Sequence, residues 1–433
     1  MKAAASAGGG LNPADFAPDL PYTGRIMPKQ HSRSFRLVCE TRHIPLVEAL
    51  LRAQGYEFEP EPFSPLCRRL CREPRPLGGS LAAFFGYIYI QDRSSMLPPL
   101  ALAPRTGEAV LDVCASPGSK SGFLAQLTGP TGFVLANEPA PARLGTLRVN
   151  LHQCNLLQAA TCSYGGENLP LVPASWNAIQ LDPPCSGWGT AEKHPRVLKL
   201  WQGDKLNSLI GLQRRLLRHA ASLLAPGGRL VYSTCTTNEA ENEAQVCFAE
   251  EELGLVRETL PPFPTARARC GWTVKNRGPR DFTWPCCARR RAARARPPCR
   301  PRPPRKNAAR GAKRAGPCRR TAWPGPAATR LCCRRATPRF TASMCVLFPH
   351  RRPVCCRRNG GRLSPAPRLR CLLPEPPGPD TALVLDDLAD LAALLSGQSR
   401  QTGLAGREAG LWWRDLPLGR IALKQGRAVA VFK

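Results

Sequence analysis

The hydrophobic and polar positions of the chain follow two periods in turn between residue 107 and about residue 260. Short apolar runs of strand length end in small or polar residues, and segments with helical spacing lie between them. Strands are predicted over residues 109–114, 132–137, 156–162, 176–181 and 229–233, and helices over 118–127, 141–154, 206–224 and 239–253. Strands and helices that alternate in this way form a parallel, doubly wound sheet, so the fold class is α/β.

Different patterns flank this region, which we place at residues 107–263. Residues 1–30 are rich in Gly, Pro and Ala and are expected to be flexible. Residues 31–106 predict a small α/β domain, with a helix over 44–55 and a strand over 84–91. Residues 380–433 predict a small C-terminal region that contains an acidic amphipathic helix over 383–395 and a closing hairpin over 421–432.

The segment 264–379 has no hydrophobic periodicity and is unusually basic. Residues 286–374 contain 25 Lys or Arg, 10 of the 20 cysteines and no Asp or Glu. Three interpretations stay open: a disordered basic RNA-binding tail, a zinc module, or translation of a GC-rich gene out of frame, which we favour. Translation out of frame predicts that residues 286–374 offer no apolar strand, so that the edge of the preceding sheet is left unpaired.

Residues 286–374 contribute +25 to the net charge of +31, and the rest of the chain carries only +6. Such a charge suits a protein that touches RNA. The cysteines outside this segment are scattered without paired metal-ligand spacing, so we expect free thiols, a cytoplasmic protein and no metal site. No apolar run is long enough to span a membrane, and the N-terminus lacks a signal-peptide pattern.

Candidate chemistry lies at the carboxyl ends of three predicted strands. The segment LDVCASPGSK, residues 111–120, runs from a strand through a tight loop into a helix. Gly118 would let the backbone approach a ligand, and Glu138, which ends the next strand, is placed to bind ribose hydroxyls. Asp182 and Cys185 end the fourth strand and Cys235 follows the fifth. All should meet at one sheet edge, although each alone could be a plain turn, a solvated acid or a buried thiol.

Residues 80–250 resemble the Sun-type RNA cytosine-C5 methyltransferases, the RsmB and RsmF group, and RsmF-like enzymes most. The matching segments, in order, are YIQDRSSM at 89–96, LDVCASPGSK at 111–120, ANE at 136–138, LDPPCSG at 181–187, LAPGGRLVYSTCT at 224–236 and NEAENE at 238–243. The resemblance implies a Rossmann-like S-adenosylmethionine-dependent methyltransferase domain. It departs from the family after the third strand, where Gly165 replaces an expected aspartate and Glu167 is the candidate substitute.

The resemblance also implies the cofactor, S-adenosyl-L-methionine, and its binding residues. These are Cys114, Ala115, Ser116, Pro117, Gly118, Ser119, Lys120, Glu138 and Asp182. It implies further that Cys235 is the nucleophile, that Cys185 assists release of the product, and that Asp182 stabilises charge on the N3 side of the cytosine.

The expected function is therefore methyl transfer to C5 of an RNA cytosine through a covalent Cys235–C6 intermediate. We expect rRNA rather than tRNA as the partner, and a monomer. A tRNA substrate stays open as an alternative. A non-catalytic RNA-binding relic of the fold is another, and a DNA cytosine methyltransferase is disfavoured by Cys235 in its STCT segment, because such an enzyme would use Cys185 as its nucleophile.

Overall fold

A computed structural model describes residues 33–191, 194–201, 203–258, 287–290, 356–359, 362–365, 367–373 and 375–432. The expectation of a flexible segment at residues 1–30 lies outside the described residues, and so do most of the expectations for residues 264–379. In the part of the chain that is described, no helix is long and apolar enough to cross a membrane.

The N-terminal region contains a four-stranded antiparallel sheet in the order β2-β3-β1-β4. Its elements are β1 (Ser34–Leu37), α1 (Ile44–Arg52), β2 (Glu57–Glu61), β3 (Ser64–Arg72), α2 (Leu81–Phe84) and β4 (Ile88–Ile90). The predicted helix over 44–55 is confirmed. The strand predicted over 84–91 shortens to three residues because the Ser80 hydroxyl accepts from the Ala83 N–H and starts a helical turn.

The central sheet confirms the predicted doubly wound architecture, with five parallel strands in the order β7-β6-β5-β8-β9. Its strands are β5 (Ala109–Asp112), β6 (Phe133–Asn137), β7 (Ala159–Cys162), β8 (Trp176–Leu181) and β9 (Leu224–Tyr232). The helices around it are α3 (Arg93–Leu102), α4 (Ser119–Thr128), α5 (Pro141–Gln153), α6 (Val197–Leu200), α7 (Asp204–Leu223) and α8 (Glu243–Glu251).

The edge of this sheet next to β9 differs from the expectation. The backbone of β11 (Cys287–Arg290) pairs antiparallel with β9 on one side and with β10 (Leu255–Glu258) on the other. The prediction that residues 286–374 leave this edge unpaired is therefore wrong for the structure. A ladder is made by backbone groups, so a segment without an apolar pattern can complete it, and side-chain periodicity does not predict that.

The C-terminal region contains a second sheet in the order β14-β16-β17-β18-β15. Its elements are β14 (Ala382–Leu385), α9 (Leu388–Leu395), β15 (Arg400–Gln401), β16 (Glu408–Trp413), β17 (Leu416–Lys424) and β18 (Arg427–Val429). A separate two-stranded ribbon joins β12 (Cys356–Asn359) to β13 (Arg362–Pro365). The predicted hairpin is confirmed as β17–β18. The helix predicted over 383–395 starts later, because residues 382–385 form a parallel strand beside β16.

The N-terminal and C-terminal regions share one hydrophobic core. Phe35, Leu50 and Tyr87 from the first pack with Leu411 and Trp413 from the second. Residues 367–373 also belong to this joint unit. The guanidinium of Arg370 is buried, donates to the carbonyls of Val38, Phe85 and Gly86, and lies 4.0 Å from the centre of the Tyr87 ring. In the described part of the chain, residues 367–373 thus pack with the N-terminal region, although the sequence analysis placed them in the segment that precedes residue 380.

Candidate active site

The carboxyl ends of β5, β8 and β9 bring the three predicted catalytic residues together. Asp182 directly follows β8, Cys185 lies in the loop beyond it, and Cys235 lies beyond β9. The Sγ atoms of Cys185 and Cys235 are 3.2 Å apart, although 50 residues separate them in sequence. Parallel neighbouring strands account for this approach, because both loops leave the same edge of the sheet.

Asp182 is held by one residue at the start of α4 and one in the loop after β9. Lys120, the second residue of α4, donates from Nζ to Asp182 Oδ2 over 2.6 Å, and the Ser233 hydroxyl donates to Oδ1 over 2.7 Å. Burial opposes the charge on Lys120, but the Asp182 carboxylate raises its pKa above the ordinary value. A charged pair with both carboxylate oxygens engaged has a fixed orientation.

The two thiols differ in their electrostatic surroundings. A hydrogen bond from Cys185 stabilises the thiolate of Cys235 and lowers the pKa of Cys235, and the same bond raises the pKa of Cys185. The Lys120 ammonium also lowers the pKa of Cys235. Of the two thiols, Cys235 therefore ionises more readily, which suits it to be the nucleophile.

The loop between β5 and α4 is fastened to α5 by side chains of that helix. Asn150 Nδ2 donates to the Pro117 carbonyl over 2.8 Å, Arg143 donates to the Ser116 carbonyl, and Ser116 Oγ donates to the Arg143 carbonyl. Gly118 has φ of +105°, and a Cβ there would lie 3.0 Å from Leu147 Cδ1. A residue with a side chain would be strained and crowded, so glycine is required at this helix start.

Three carboxyl groups surround Cys114 at the end of β5. Burial is the main cause of its raised pKa, and the carboxyl groups of Asp112, Asp182 and Glu138 raise it further. Asp112 is itself fully buried, accepts from the Ser121 hydroxyl over 2.6 Å, and has its pKa raised by burial to about 7. Burial and the three carboxyl groups thus disfavour the Cys114 thiolate and keep this side chain an uncharged thiol.

Glu138 lies at the end of β6, as the sequence predicted, and its side chain is only 2 % exposed. Oε1 accepts from the Ala140 N–H over 2.9 Å, and Oε2 faces the Arg143 guanidinium across 3.6 Å. The longer, more exposed contact with Arg143 is the weaker of the two, so Oε2 is the oxygen that a ligand hydroxyl could engage.

The loop after β7 carries the departure noted at Gly165. The Glu167 carboxylate folds back over this glycine, and a Cβ on Gly165 would lie 3.2 Å from Glu167 Oε2. Asn137 ties the loop to β5 by donating to the carbonyls of Val113 and Tyr164. The structure thus places the Glu167 carboxylate where a side chain of residue 165 would begin.

Sequence reasoning missed the residues that hold the two cysteine loops. They are Ser186, Gln213, Ser233 and Glu241, which are buried and hydrogen-bonded to one another or to the catalytic loops. Ser186, Ser233 and Glu241 lie inside the motifs quoted above, but a motif does not say which of its members face inward. Only polar residues beside the strand ends hinted at them.

A cavity of about 420 Å³ is lined by Trp188, Leu198, Trp201, Gly203 and Leu206. Trp188 precedes Gly189, whose backbone N–H donates to the Cys235 carbonyl over 3.1 Å. This wall of the cavity is therefore joined to the loop that carries Cys235. In this lining, Leu198 is about half exposed.

Among the described residues, no group of three or more His, Cys, Asp or Glu could hold a metal ion.

Comparison with known proteins identifies the class of this domain. Residues 99–254 match the family model described as 16S rRNA methyltransferase RsmB/F. The sheet order and this match together define a Rossmann-like methyltransferase domain. The resemblance to the RsmB and RsmF group that the motifs indicated is thereby confirmed for this part of the chain.

Two curated relatives carry the name ribosomal RNA small subunit methyltransferase F. The protein of Enterobacter sp. (strain 638) is 40 % identical over 197 residues, which are 44 % of this chain and 41 % of the relative. That of Shewanella amazonensis is 38 % identical over 214 residues, 48 % of this chain and 45 % of the relative. The match thus spans less than half the length of each. A solved methyltransferase homolog protein from Pyrococcus horikoshii is 32 % identical, covering 53 % of this chain and 72 % of its own, with a TM-score of 0.48.

Proposed function

We propose that this chain transfers a methyl group from S-adenosylmethionine to C5 of a cytosine in RNA, through a covalent bond between Cys235 and C6. The observation that carries the proposal is the pair of thiols 3.2 Å apart beside the Lys120–Asp182 ion pair. The relatives named for small-subunit ribosomal RNA favour 16S rRNA as the substrate.

The residues at the end of β5 fit the proposed cofactor. S-adenosylmethionine would supply an electrophilic methyl group on a sulfonium cation. The carboxyl groups of Asp112, Asp182 and Glu138 around Cys114 suit that positive charge. Glu138 would accept from the ribose hydroxyls, and the Glu167 carboxylate over Gly165 would take the place of the missing aspartate near the adenine.

The chemistry begins with addition of the Cys235 thiolate to C6 of the cytosine. This forms the Sγ–C6 bond and moves electron density onto C5 and towards N3, which takes up a proton from solvent; the Asp182 carboxylate, oriented by Lys120 and Ser233, would then accept a hydrogen bond from the protonated N3 side of the ring. The electron pair at C5 would then form the bond to the methyl group while the methyl–sulfonium bond breaks and a neutral thioether leaves. Loss of the C5 proton and cleavage of the Sγ–C6 bond restore the aromatic ring, and the Cys185 thiol beside Cys235 assists this release.

The cavity lined by the two indoles supports a single-stranded RNA substrate. Aromatic side chains stack on bases, and the exposed Arg196 and Lys199 lie in the same segment, where they can meet phosphates. We propose that a base next to the target cytosine occupies this cavity.

Replacement of Glu138 by alanine should weaken binding of S-adenosylmethionine by about 1–3 kcal/mol, the usual cost of losing a hydrogen bond to a charged group. Titration calorimetry on the full chain measures this directly. Glu57→Ala, at an exposed position on β2, is the control and should bind normally. Unchanged affinity in Glu138→Ala would remove Glu138 from the cofactor site.

Replacement of Trp188 by alanine should weaken RNA binding by about 1–3 kcal/mol, because one stacking contact is lost, while cofactor affinity stays the same. Trp188→Phe should keep most of the affinity. Filter binding identifies the stacked base with two RNAs that carry one abasic nucleotide, on the 5′ or on the 3′ side of the target cytosine. When the missing base is the one that stacks on Trp188, Trp188→Ala should cause no further loss of RNA affinity. Equal losses for every RNA would contradict stacking in this cavity.

A further inference from the structure

The NEAENE segment after Cys235 contributes a buried carboxylate that no step of the proposed reaction uses. Glu241 ends a short 3-10 helix, Glu239–Glu241, and its side chain is completely buried. Among the described residues, no Lys, Arg or His forms an ion pair with it. A buried anion is tolerated only when hydrogen bonds replace its hydration, so its partners show what it holds.

The partners of Glu241 come from three separate elements. Oε1 accepts from the backbone N–H of Ser186 and from Gln213 Nε2, each over 2.9 Å. Oε2 accepts from the Ser186 hydroxyl and from Asn238 Nδ2. One carboxylate therefore joins the loop after β8, the helix α7 and the loop after β9.

Both cysteine loops are fixed through these bonds. Ser186 is the residue after Cys185 and is held twice by Glu241. Thr236 is the residue after Cys235, and its hydroxyl lies 2.6 Å from that of Ser186. Gln213 Nε2 also donates to the Pro184 carbonyl over 2.8 Å, on the other side of Cys185.

The two cysteine loops also approach each other closely. A Cβ added to Gly189 would lie 2.8 Å from the Cys235 carbonyl oxygen. Without the anion, the donors of Ser186, Gln213 and Asn238 would be left facing one another in a buried space, and the loops would have to separate to satisfy them.

We infer that Glu241 is a positioning residue: its carboxylate sets the separation of Cys185 and Cys235, and so the step in which Cys185 assists release of product from Cys235. It hydrogen-bonds to neither thiol, so it acts through its partners: Ser186 and, by way of Ser186, Thr236, and also Gln213, which holds the Pro184 carbonyl. The inference about release rests on the proposed function, whereas the inference about thiol separation does not.

The separation is tested by oxidative crosslinking of the full chain with diamide. Diamide takes up the two thiol hydrogens and is reduced to its hydrazine, while one S–S bond forms. An S–S bond is about 2.05 Å long, so the 3.2 Å pair needs only a small movement. Mass spectrometry of the peptides that contain Cys185 and Cys235 gives the crosslinking rate without any substrate.

Glu241→Ala should crosslink roughly ten-fold more slowly or worse, as misplacement of reacting groups by about 1 Å predicts. Glu241→Gln should lie between it and the parent, because an amide oxygen can still accept from Ser186 and Gln213 but its NH₂ group opposes Asn238. Glu61→Gln is the matched control: Glu61 is also buried, pairs with Arg93 in the N-terminal region, and should leave the rate unchanged.

The same variants separate positioning from mere stability. Glu241→Gln should lower kcat with RNA while KM for RNA and cofactor affinity stay the same, and RNA-linked enzyme should accumulate. If Glu241→Ala does not fold, Glu241→Gln and Ser186→Ala carry the test. Crosslinking at the parent rate in these variants would overturn the inference, as would slowing equal to that of Glu61→Gln. A third outcome separates the two proposals. If the variants crosslink at the expected slower rates but the parent chain transfers no methyl group to RNA, the result would count against the proposed function alone.

Discussion

Replacement of Cys235 by alanine is expected to reduce methyl transfer to RNA below detection. The thiolate supplies the electrons that make C5 reactive, and in the structure Cys185 and Lys120 lower the pKa of Cys235 rather than that of its neighbour. Without addition of a thiolate to C6, C5 of the cytosine is not nucleophilic enough to accept the methyl group. The measurement is transfer of labelled methyl groups from S-adenosylmethionine to RNA.

The same variant should form no covalent complex with RNA that contains 5-fluorocytosine, because that analogue blocks release only after Cys235 has bonded to C6. Cys71→Ala, at an exposed thiol on β3, serves as control and should keep both the activity and the adduct. If Cys235→Ala kept the adduct and Cys185→Ala lost it, the roles of the two thiols would be reversed.

Replacement of Cys185 by alanine should have the opposite effect on the adduct. With ordinary cytosine RNA the enzyme should stop after a burst of about one methyl group per molecule and remain linked to the product, because release is impaired. A denaturing gel detects the linked species. Rapid multiple turnover in this variant would show that Cys185 takes no part in release.

The loss of Cys185 should also change the ionisation of Cys235. The hydrogen bond from Cys185 is the largest cause of the lowered pKa of Cys235, so its removal should raise that pKa. The pH at which alkylation of Cys235 by iodoacetamide reaches half its maximal rate should therefore move upward. An unchanged midpoint would mean that the hydrogen bond from Cys185 does not set the pKa of Cys235.

The sequence by itself determined that the central domain is a parallel sheet, and in which order its strands and helices follow along the chain. Apolar runs of five or six residues that alternate with amphipathic helices leave few topologies, and parallel strands oblige their carboxyl ends to share one edge. The convergence of Asp182, Cys185 and Cys235 follows from that rule. The sequence also singled out Gly118, as a residue that lets the backbone approach a ligand, and the structure adds that the turn into α4 has a positive φ there.

Only the tertiary structure decided what surrounds these residues. The pairing of Lys120 with Asp182, the 3.2 Å between the thiols and the position of Glu241 under both loops depend on which side chains turn inward after a strand ends. Loops have no periodicity from which that could be predicted.

Contacts between segments that are far apart in the chain also could not be predicted from the sequence. The N-terminal and C-terminal regions form one core although about 300 residues lie between them, because apolar faces that cannot cover themselves bury against each other wherever they meet. The strand Cys287–Arg290 entered the sheet through backbone pairing, which has no side-chain signature. Periodicity thus specified the elements, whereas contacts between distant elements specified the shared core and the geometry of the site.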